Sequence, residues 1–67
     1  MERVYKKVEI VGISKTGYED AIKDAVERAS KTLHGLAWFE LVEQHGRIEN
    51  GKVAEYQAVI KVAFKLD

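Results

Sequence analysis

The stretch GLAWFEL, residues 35–41, contains the single tryptophan of the chain, Trp38, followed directly by Phe39. If this stretch is a strand, the two rings point to opposite faces, because side chains alternate along a strand. A chain with one core can bury only one of those faces. The other ring then remains available for a partner subunit or for stacking against a flat aromatic ligand. The alternative is a partly exposed side chain with no function, since single exposed apolar residues are common.

Gln57 is the second residue whose chemistry could matter, because its amide offers both a donor and an acceptor. The alternative is an ordinary solvated strand residue. No glycine-rich phosphate loop follows a strand in this sequence. Glu40 and Glu43 fall on opposite strand parities and so do not form a catalytic carboxylate pair. We therefore predict a binding protein and not an enzyme.

Composition limits the remaining function classes. The chain has 67 residues, which predicts one domain spanning 1–67, and its 11 basic residues balance 11 acidic ones. Zero net charge argues against nucleic-acid binding, and no apolar run approaches the ~20 residues of a membrane span. There is no signal-peptide core, so we expect a cytoplasmic location.

A domain this small usually needs a disulfide, a metal or a partner subunit to stabilise its core. The sequence has no cysteine, and its two histidines, His34 and His45, belong to no ligand-spaced cluster. We therefore predict no metal site. Self-association is the remaining means of stabilisation.

The first half of the chain predicts a strand and a helix. Alternation in RVYKKVEIV predicts a strand over 3–11 and a turn over 12–15. Thr16 and Glu19 have the spacing of a capping box, with Ser14 as a competing cap. Apolar residues then recur at helical spacing from Tyr18 to Leu36, with a stop expected near residue 35.

The second half predicts a hairpin. Strands are expected over 37–48 and 53–66, joined by a two-residue turn at Asn50 and Gly51, because both positions of such a turn need positive φ. The predicted fold class is α+β with the order β-α-β-β: a three-stranded antiparallel sheet wrapped around one helix.

The hairpin predicts which face each aromatic ring occupies. Counting back from the turn places Phe39 opposite Val62, on the apolar face under the helix. The same register places Trp38 opposite Ala63, on the face that the helix does not cover.

The same register places Gln57 opposite Gln44, roughly 20 Å along the strand from Ala63 at ~3.3 Å per residue. A pocket that uses both Trp38 and Gln57 would therefore need two subunits. Glu43, His45 and Arg47 fall on the inward parity, which predicts either a β-bulge near residue 46 or a projecting arm.

Four segments of the sequence resemble the dodecins, a family of small flavin-binding proteins, over nearly the whole chain. They are VYKKVEIVGIS, YEDAIKDAVERASKTL, LAWFELVEQHGRIENGKV and EYQAVIKVAFKL. The resemblance implies a hollow shell of twelve subunits that binds FMN or riboflavin as stacked pairs near two-fold axes. It implies that each flavin stacks on Trp38, that Gln57 binds its polar edge, and that the role is flavin storage and photoprotection.

The resemblance also implies contacts outside the flavin ring. His45 and Lys65 stand where bacterial FMN-binding members commonly have arginine, and Arg47 is a further candidate for a phosphate. Arg3, Tyr5 and Lys6 match the region where some members bind coenzyme A. The alternative is a flavin-free homo-oligomeric shell or interaction module; the presence of Trp38 argues against the flavin-free branch of the family.

Overall fold

A computed structural model describes residues 2–67, so Met1 of the predicted 1–67 domain lies outside the described residues. The elements are β1 (Tyr5–Ser14), α1 (Tyr18–Ala29), β2 (Leu36–Glu49) and β3 (Lys52–Lys65). β3 lies in the centre of one antiparallel sheet with the order β1-β3-β2. The predicted fold class, with one antiparallel sheet and one helix, is confirmed.

The core lies between α1 and one face of the sheet, which we call the inner face. Every buried residue that α1 contributes is an alanine, so the helix lies close to the strands. The buried core cluster comprises Ala21, Ala25, Ala29, Ala58, Ile60 and Val62. Because these side chains are small, one subunit buries little apolar area.

Gly12 permits this close approach. It lies in β1 opposite Ala58, on the inner face. A Cβ atom at this position would lie 2.1 Å from the carbonyl oxygen of Ala21 and 2.9 Å from the Cβ of Ala25. Both distances are below van der Waals contact, so a side chain here would force α1 away from the sheet.

The start of α1 differs from the predicted capping box. The N-cap position is occupied by Gly17, which has no side chain with which to cap. The Thr16 hydroxyl instead donates to the Asp20 carboxylate, and the Thr16 amide donates to the Ser14 hydroxyl at 3.0 Å. The capping-box prediction is therefore wrong, because local hydrogen bonds engage Thr16 outside the helix.

The end of α1 also differs from the prediction. The helix ends at Ala29, and the amide of Leu33 donates to the Ala29 carbonyl at 2.9 Å in the turn that follows. Leu33 and Leu36 still pack against the core cluster. The apolar residues at helical spacing therefore extend beyond the end of the helix. Leu33, in the turn, and Leu36, at the start of β2, contact the core without being helical. Gly35, with φ of 73°, lies in the connection to β2.

The hairpin turn is confirmed, because Asn50 and Gly51 have φ of 54° and 74°. The predicted turn over 12–15 is wrong for its first three residues. β1 extends to Ser14, since Gly12, Ile13 and Ser14 pair with β3.

The subunit is elongated. Its principal extents are 54 × 20 × 13 Å and its radius of gyration is 13.9 Å, against about 11 Å for a compact domain of this length. Its accessible surface is 5167 Å², against about 4,300 Å² for a compact monomer of this mass. Residues 47–55 lie beyond the last pair between β1 and β3, Ser14 with Tyr56, and extend as the arm that was one of the two predicted alternatives. No helix within residues 2–67 is long and apolar enough to cross a membrane.

Gly12→Ala should destabilise the protein by roughly 2 kcal/mol or more, because the added methyl overpacks the contact with α1. Gly17→Ala is the matched control. A Cβ atom there would meet nothing within 4 Å, so we expect a change below about 1 kcal/mol. Chemical unfolding followed by circular dichroism at one protein concentration measures both. Equal effects of the two substitutions would contradict the close-approach argument.

Candidate functional site

The two adjacent aromatic residues of β2 point to opposite faces, as predicted. Trp38 pairs with Ala63 and Phe39 pairs with Val62. Trp38 is 46% exposed on the face away from α1, which we call the outer face.

Phe39 lies on the inner face but is 48% exposed, so its predicted place in the core is wrong. The helix packs over β1 and β3 and leaves the inner side of β2 largely uncovered. Phe39 therefore borders a groove of about 500 Å³ that is also lined by Ile22 and Val26.

Trp38 meets Tyr5 across the central strand. Their ring centroids are 4.9 Å apart with an interplanar angle of 54°. Ala63 lies between β1 and β2 at this level and is fully buried, although it faces away from the helix. Its small side chain leaves room for the two rings to meet above β3.

Two further residues of the outer face contact this group, and neither is among the predicted site residues. The indole Nε1 of Trp38 donates to Glu40 Oε2 at 2.9 Å. Lys7 Nζ lies 3.1 Å from both carboxylate oxygens of Glu40. The pKa of Glu40 is lowered, first by the hydrogen bond from Trp38 and then by that from Lys7. The sequence signal that could identify Glu40 is its i, i+2 spacing from Trp38, which places both side chains on one face of a strand.

A β-bulge at Val42 changes the parity of the arm. The pairing register shifts between Leu41 and Glu43, so His45 pairs with Gln57 and Arg47 pairs with Glu55. The predicted pairing of Gln57 with Gln44 is therefore wrong. The bulge was expected near residue 46 and lies four residues earlier.

Because of that shift, Glu43, His45 and Arg47 lie on the outer face and not on the predicted inward one. His45 Nε2 is 2.8 Å from Gln57 Oε1, and His45 Nδ1 is 2.5 Å from Glu43 Oε2. Each ring nitrogen of His45 thus faces an oxygen acceptor. Gln57 Nε2 donates to Glu55 Oε1 at 3.1 Å, which extends the chain of hydrogen bonds.

Arg47 ends this chain of polar contacts. Its guanidinium is 2.7 Å from Glu49 Oε2 and 3.3 Å from Glu55 Oε1. The Glu49 carboxylate, and then Glu55, raise the pKa of Arg47. The hydrogen bond from Gln57, and then that from Arg47, lower the pKa of Glu55. We call the residues His45, Gln57, Glu55 and Arg47 the arm cluster.

The remaining predicted site residues lie at the other end of the sheet. Lys65 pairs with Tyr5, on the outer face near Trp38. The guanidinium of Arg3 lies 5.9 Å from the Tyr5 ring centroid. Lys6 pairs with Phe64 on the inner face, so the structure brings Arg3 and Tyr5 together and places Lys6 on the opposite side of the sheet.

The outer face therefore carries two separate groups of candidate ligands. Trp38 pairs with Ala63 of β3, whereas the arm cluster is centred on Gln57, which is also in β3. The spacing between Ala63 and Gln57 is roughly 20 Å at ~3.3 Å per residue. One small ligand cannot contact Trp38 and Gln57 of the same subunit.

A model of the family described as Dodecin matches residues 4–67. The chain belongs to the dodecin family. Dodecin of Thermus thermophilus is 52% identical over 67 residues, covering 100% of this chain and 97% of that protein. The structure of dodecin from Streptomyces davaonensis matches with a TM-score of 0.95 and 43% identity, covering 100% of this chain and 98% of that one.

Another dodecin of known structure is described by the metal ion that it binds. Calcium dodecin of Mycobacterium tuberculosis, a calcium-chelating antigen with a novel calcium-binding site, matches with a TM-score of 0.83 and 32% identity. The match covers 96% of this chain and 91% of that one. In the present dodecin, no group of three or more His, Cys, Asp or Glu side chains within residues 2–67 is arranged to hold a metal ion.

The lowered pKa of Glu55 gives a pH prediction. Because the pKa of Glu55 is lower in the folded state, its carboxylate stabilises the fold at pH values above the ordinary glutamate range. This stabilisation is lost as the pH falls through the lowered pKa. Gln57→Leu removes the largest cause, so the Glu55 carboxylate should titrate at a higher pH in that variant. NMR titration of the Glu55 side-chain carboxyl carbon measures this midpoint. The same midpoint in both proteins would contradict a hydrogen bond between the two residues in solution.

Proposed function

We propose that this dodecin binds FMN or riboflavin as stacked pairs, between Trp38 side chains of two subunits at the two-fold axes of a hollow dodecamer. Its role is to store flavin and protect it from light. The observation that carries this proposal is a half-exposed Trp38 on the uncovered face of the sheet, its indole held by Tyr5 and Glu40.

The geometry around Trp38 fits a flat aromatic ligand. An indole is electron-rich and an isoalloxazine ring is electron-poor, so the two stack with about 0.5–1.5 kcal/mol beyond area burial. A two-fold axis duplicates every contact. One tryptophan per chain therefore supplies both walls of a slot for two stacked rings.

Gln57 fits the polar edge of the ring, because its amide presents a donor and an acceptor side by side. In the single chain these atoms bond to Glu55 and His45, so a ligand would have to replace those partners. Because Gln57 lies far from Trp38 of its own chain, the proposal requires a slot built by two chains.

Self-association is supported by the shape and surface of the subunit. Its accessible surface exceeds that of a compact monomer, and ten large apolar side chains within residues 2–67 are 44–75% exposed. Ile48 and Val53, at 75% and 58%, extend this apolar surface along the arm. Burial of such surface between copies is the expected source of stability for a domain with so small a core.

The role follows from binding and not from turnover. A bound flavin supplies a light-absorbing ring, and a stacked indole can quench its excited state by electron transfer. The proposal rests on the Trp38 ring as a stacking surface and on the Gln57 amide, and it gives neither residue a catalytic role. We place the protein in the cytoplasm, where free flavin is available, with no role for nucleic acid.

The arm cluster favours recognition of the ring over recognition of a phosphate. Its basic side chains already have acidic partners: His45 faces Glu43, and Arg47 faces Glu49 and Glu55. A phosphate approaching them would also approach those carboxylates. Lys65, near Trp38, is the candidate cation outside this group.

Trp38→Ala should weaken flavin binding by an order of magnitude or more, because it removes the stacking surface. The measurement is quenching of flavin fluorescence on titration with protein, saturating near one flavin per chain. Phe39→Leu is the control, since it alters the neighbouring aromatic residue on the other face. Equal affinity of wild type and Trp38→Ala would exclude the stacked-flavin site. Absence of quenching in a large assembly would favour the flavin-free shell.

The basic side chains of the arm cluster already face carboxylates, so we predict that FMN binds within about threefold of riboflavin, since the phosphate gains little net attraction. His45→Arg should raise the preference for FMN, because a guanidinium is always charged and can hold a phosphate with two hydrogen bonds. The same titration with both ligands at two salt concentrations measures the ratio. A strong FMN preference in the wild type that His45→Ala abolishes would instead identify His45 as a phosphate ligand.

A further inference from the structure

We infer that Glu40 is a positioning residue for the Trp38 indole, and that Lys7 holds Glu40 in place, in the flavin slot on which the proposed function depends. Neither residue belongs to the arm cluster, and neither is a ligand predicted from the sequence. Their role would be to fix the plane of the ring before a ligand arrives.

The contact between Trp38 and Glu40 restricts the ring directly. The two residues alternate on the same face of β2, and Nε1 donates to Glu40 Oε2 at 2.9 Å. A tryptophan side chain has two rotatable bonds. A charged acceptor at the edge of the ring therefore selects one orientation of its plane, and charge-assisted hydrogen bonds are the stronger ones.

Lys7 holds the acceptor from two strands away. It lies on β1, whereas Glu40 lies on β2, so its side chain passes over β3 to reach both carboxylate oxygens at 3.1 Å. Lys61 pairs with Glu40 on the intervening strand and adds a second cation. The lowered pKa of Glu40 is consistent with a carboxylate held among donors.

Tyr5 and Ala63 complete the enclosure of the indole. The Tyr5 ring lies against one side of it at 4.9 Å, and Ala63 lies in the strand between them. About half of the Trp38 side chain is still exposed after these contacts form. A ring held in this way loses little further freedom on stacking, so ligand affinity gains from preorganisation.

The alternative is that Lys7 and Glu40 form an ordinary surface ion pair that only joins the outer strands. Such pairs contribute little to stability. The two interpretations differ in one respect: only a positioning role couples Glu40 to the motion of the indole. Trp38 is the single tryptophan of the chain, so its fluorescence anisotropy reports that motion without any label.

The test uses the intact assembly without flavin and compares Glu40→Ala, Glu40→Gln and Lys7→Met with the wild type. Glu40→Ala should increase the fast component of the Trp38 anisotropy decay. Glu40→Gln should restore most of the wild-type decay, since its amide oxygen still accepts from Nε1. Lys7→Met should give an intermediate value. Glu9→Ala, which removes another outer-face carboxylate opposite Lys61, should leave the decay unchanged.

Flavin titrations give the second readout. We expect Glu40→Ala to bind FMN about tenfold more weakly, and Glu40→Gln to lie within about threefold of the wild type, reflecting loss or retention of one hydrogen bond. Circular dichroism and elution volume verify that each variant is assembled. An unchanged decay in Glu40→Ala would overturn the positioning role. Failure of the wild type to bind flavin would defeat the proposed function, while the decay would still decide whether Glu40 positions the ring.

Discussion

The arrangement of the outer face depends on two irregularities of the hairpin that offset each other. An extra residue in β2, Val42, shifts the register by one, and an extra residue in β3, Ala54, shifts it back near the turn. Between them, residues 43–47 pair one position away from a regular ladder. Since side chains alternate with a period of two, this shift moves His45 and Arg47 to the outer face. Without it, they would point inward beyond the helix, where nothing in the subunit covers them.

A second constraint is the small core. The close contact at Gly12 lets α1 lie flat on β1 and β3, but the same short helix cannot cover β2 or the arm. The subunit is therefore folded at one end and extended at the other. Phe39, Leu41 and Ile48 remain at least 47% exposed. Such surface is costly for a monomer and useful at an interface between subunits. The small core and the exposed apolar side chains make the single chain only marginally stable, and the same exposed side chains favour assembly.

The sequence predicts the fold well where one residue type decides the backbone conformation. It predicts the fold poorly where the packing of several elements decides that conformation. Asn50 and Gly51 have positive φ as expected. The pairing of Trp38 with Ala63 was predicted correctly from that turn. The register of residues 43–47 was wrong, but the bulges at Val42 and Ala54 cancel between the turn and Trp38. Val42 carries no local signal for a bulge, so the pairing of His45 with Gln57 could not be predicted. Thr16 was misassigned because its capping preference is satisfied by Ser14 and Asp20.

The size of the core also bears on where a ligand can bind. The space between α1 and the sheet is filled by alanine, isoleucine and valine, so a flavin-sized ring cannot enter it without unfolding the subunit. The candidate contacts for such a ligand lie on the outer face, where Trp38 and Gln57 of one chain are separated by roughly 20 Å along β3. In the proposed slot, a second chain completes the site. Ligand binding and assembly are then thermodynamically linked, since a ligand held between two subunits stabilises their association by mass action. A slot of this kind requires little from each chain beyond one well-oriented aromatic ring.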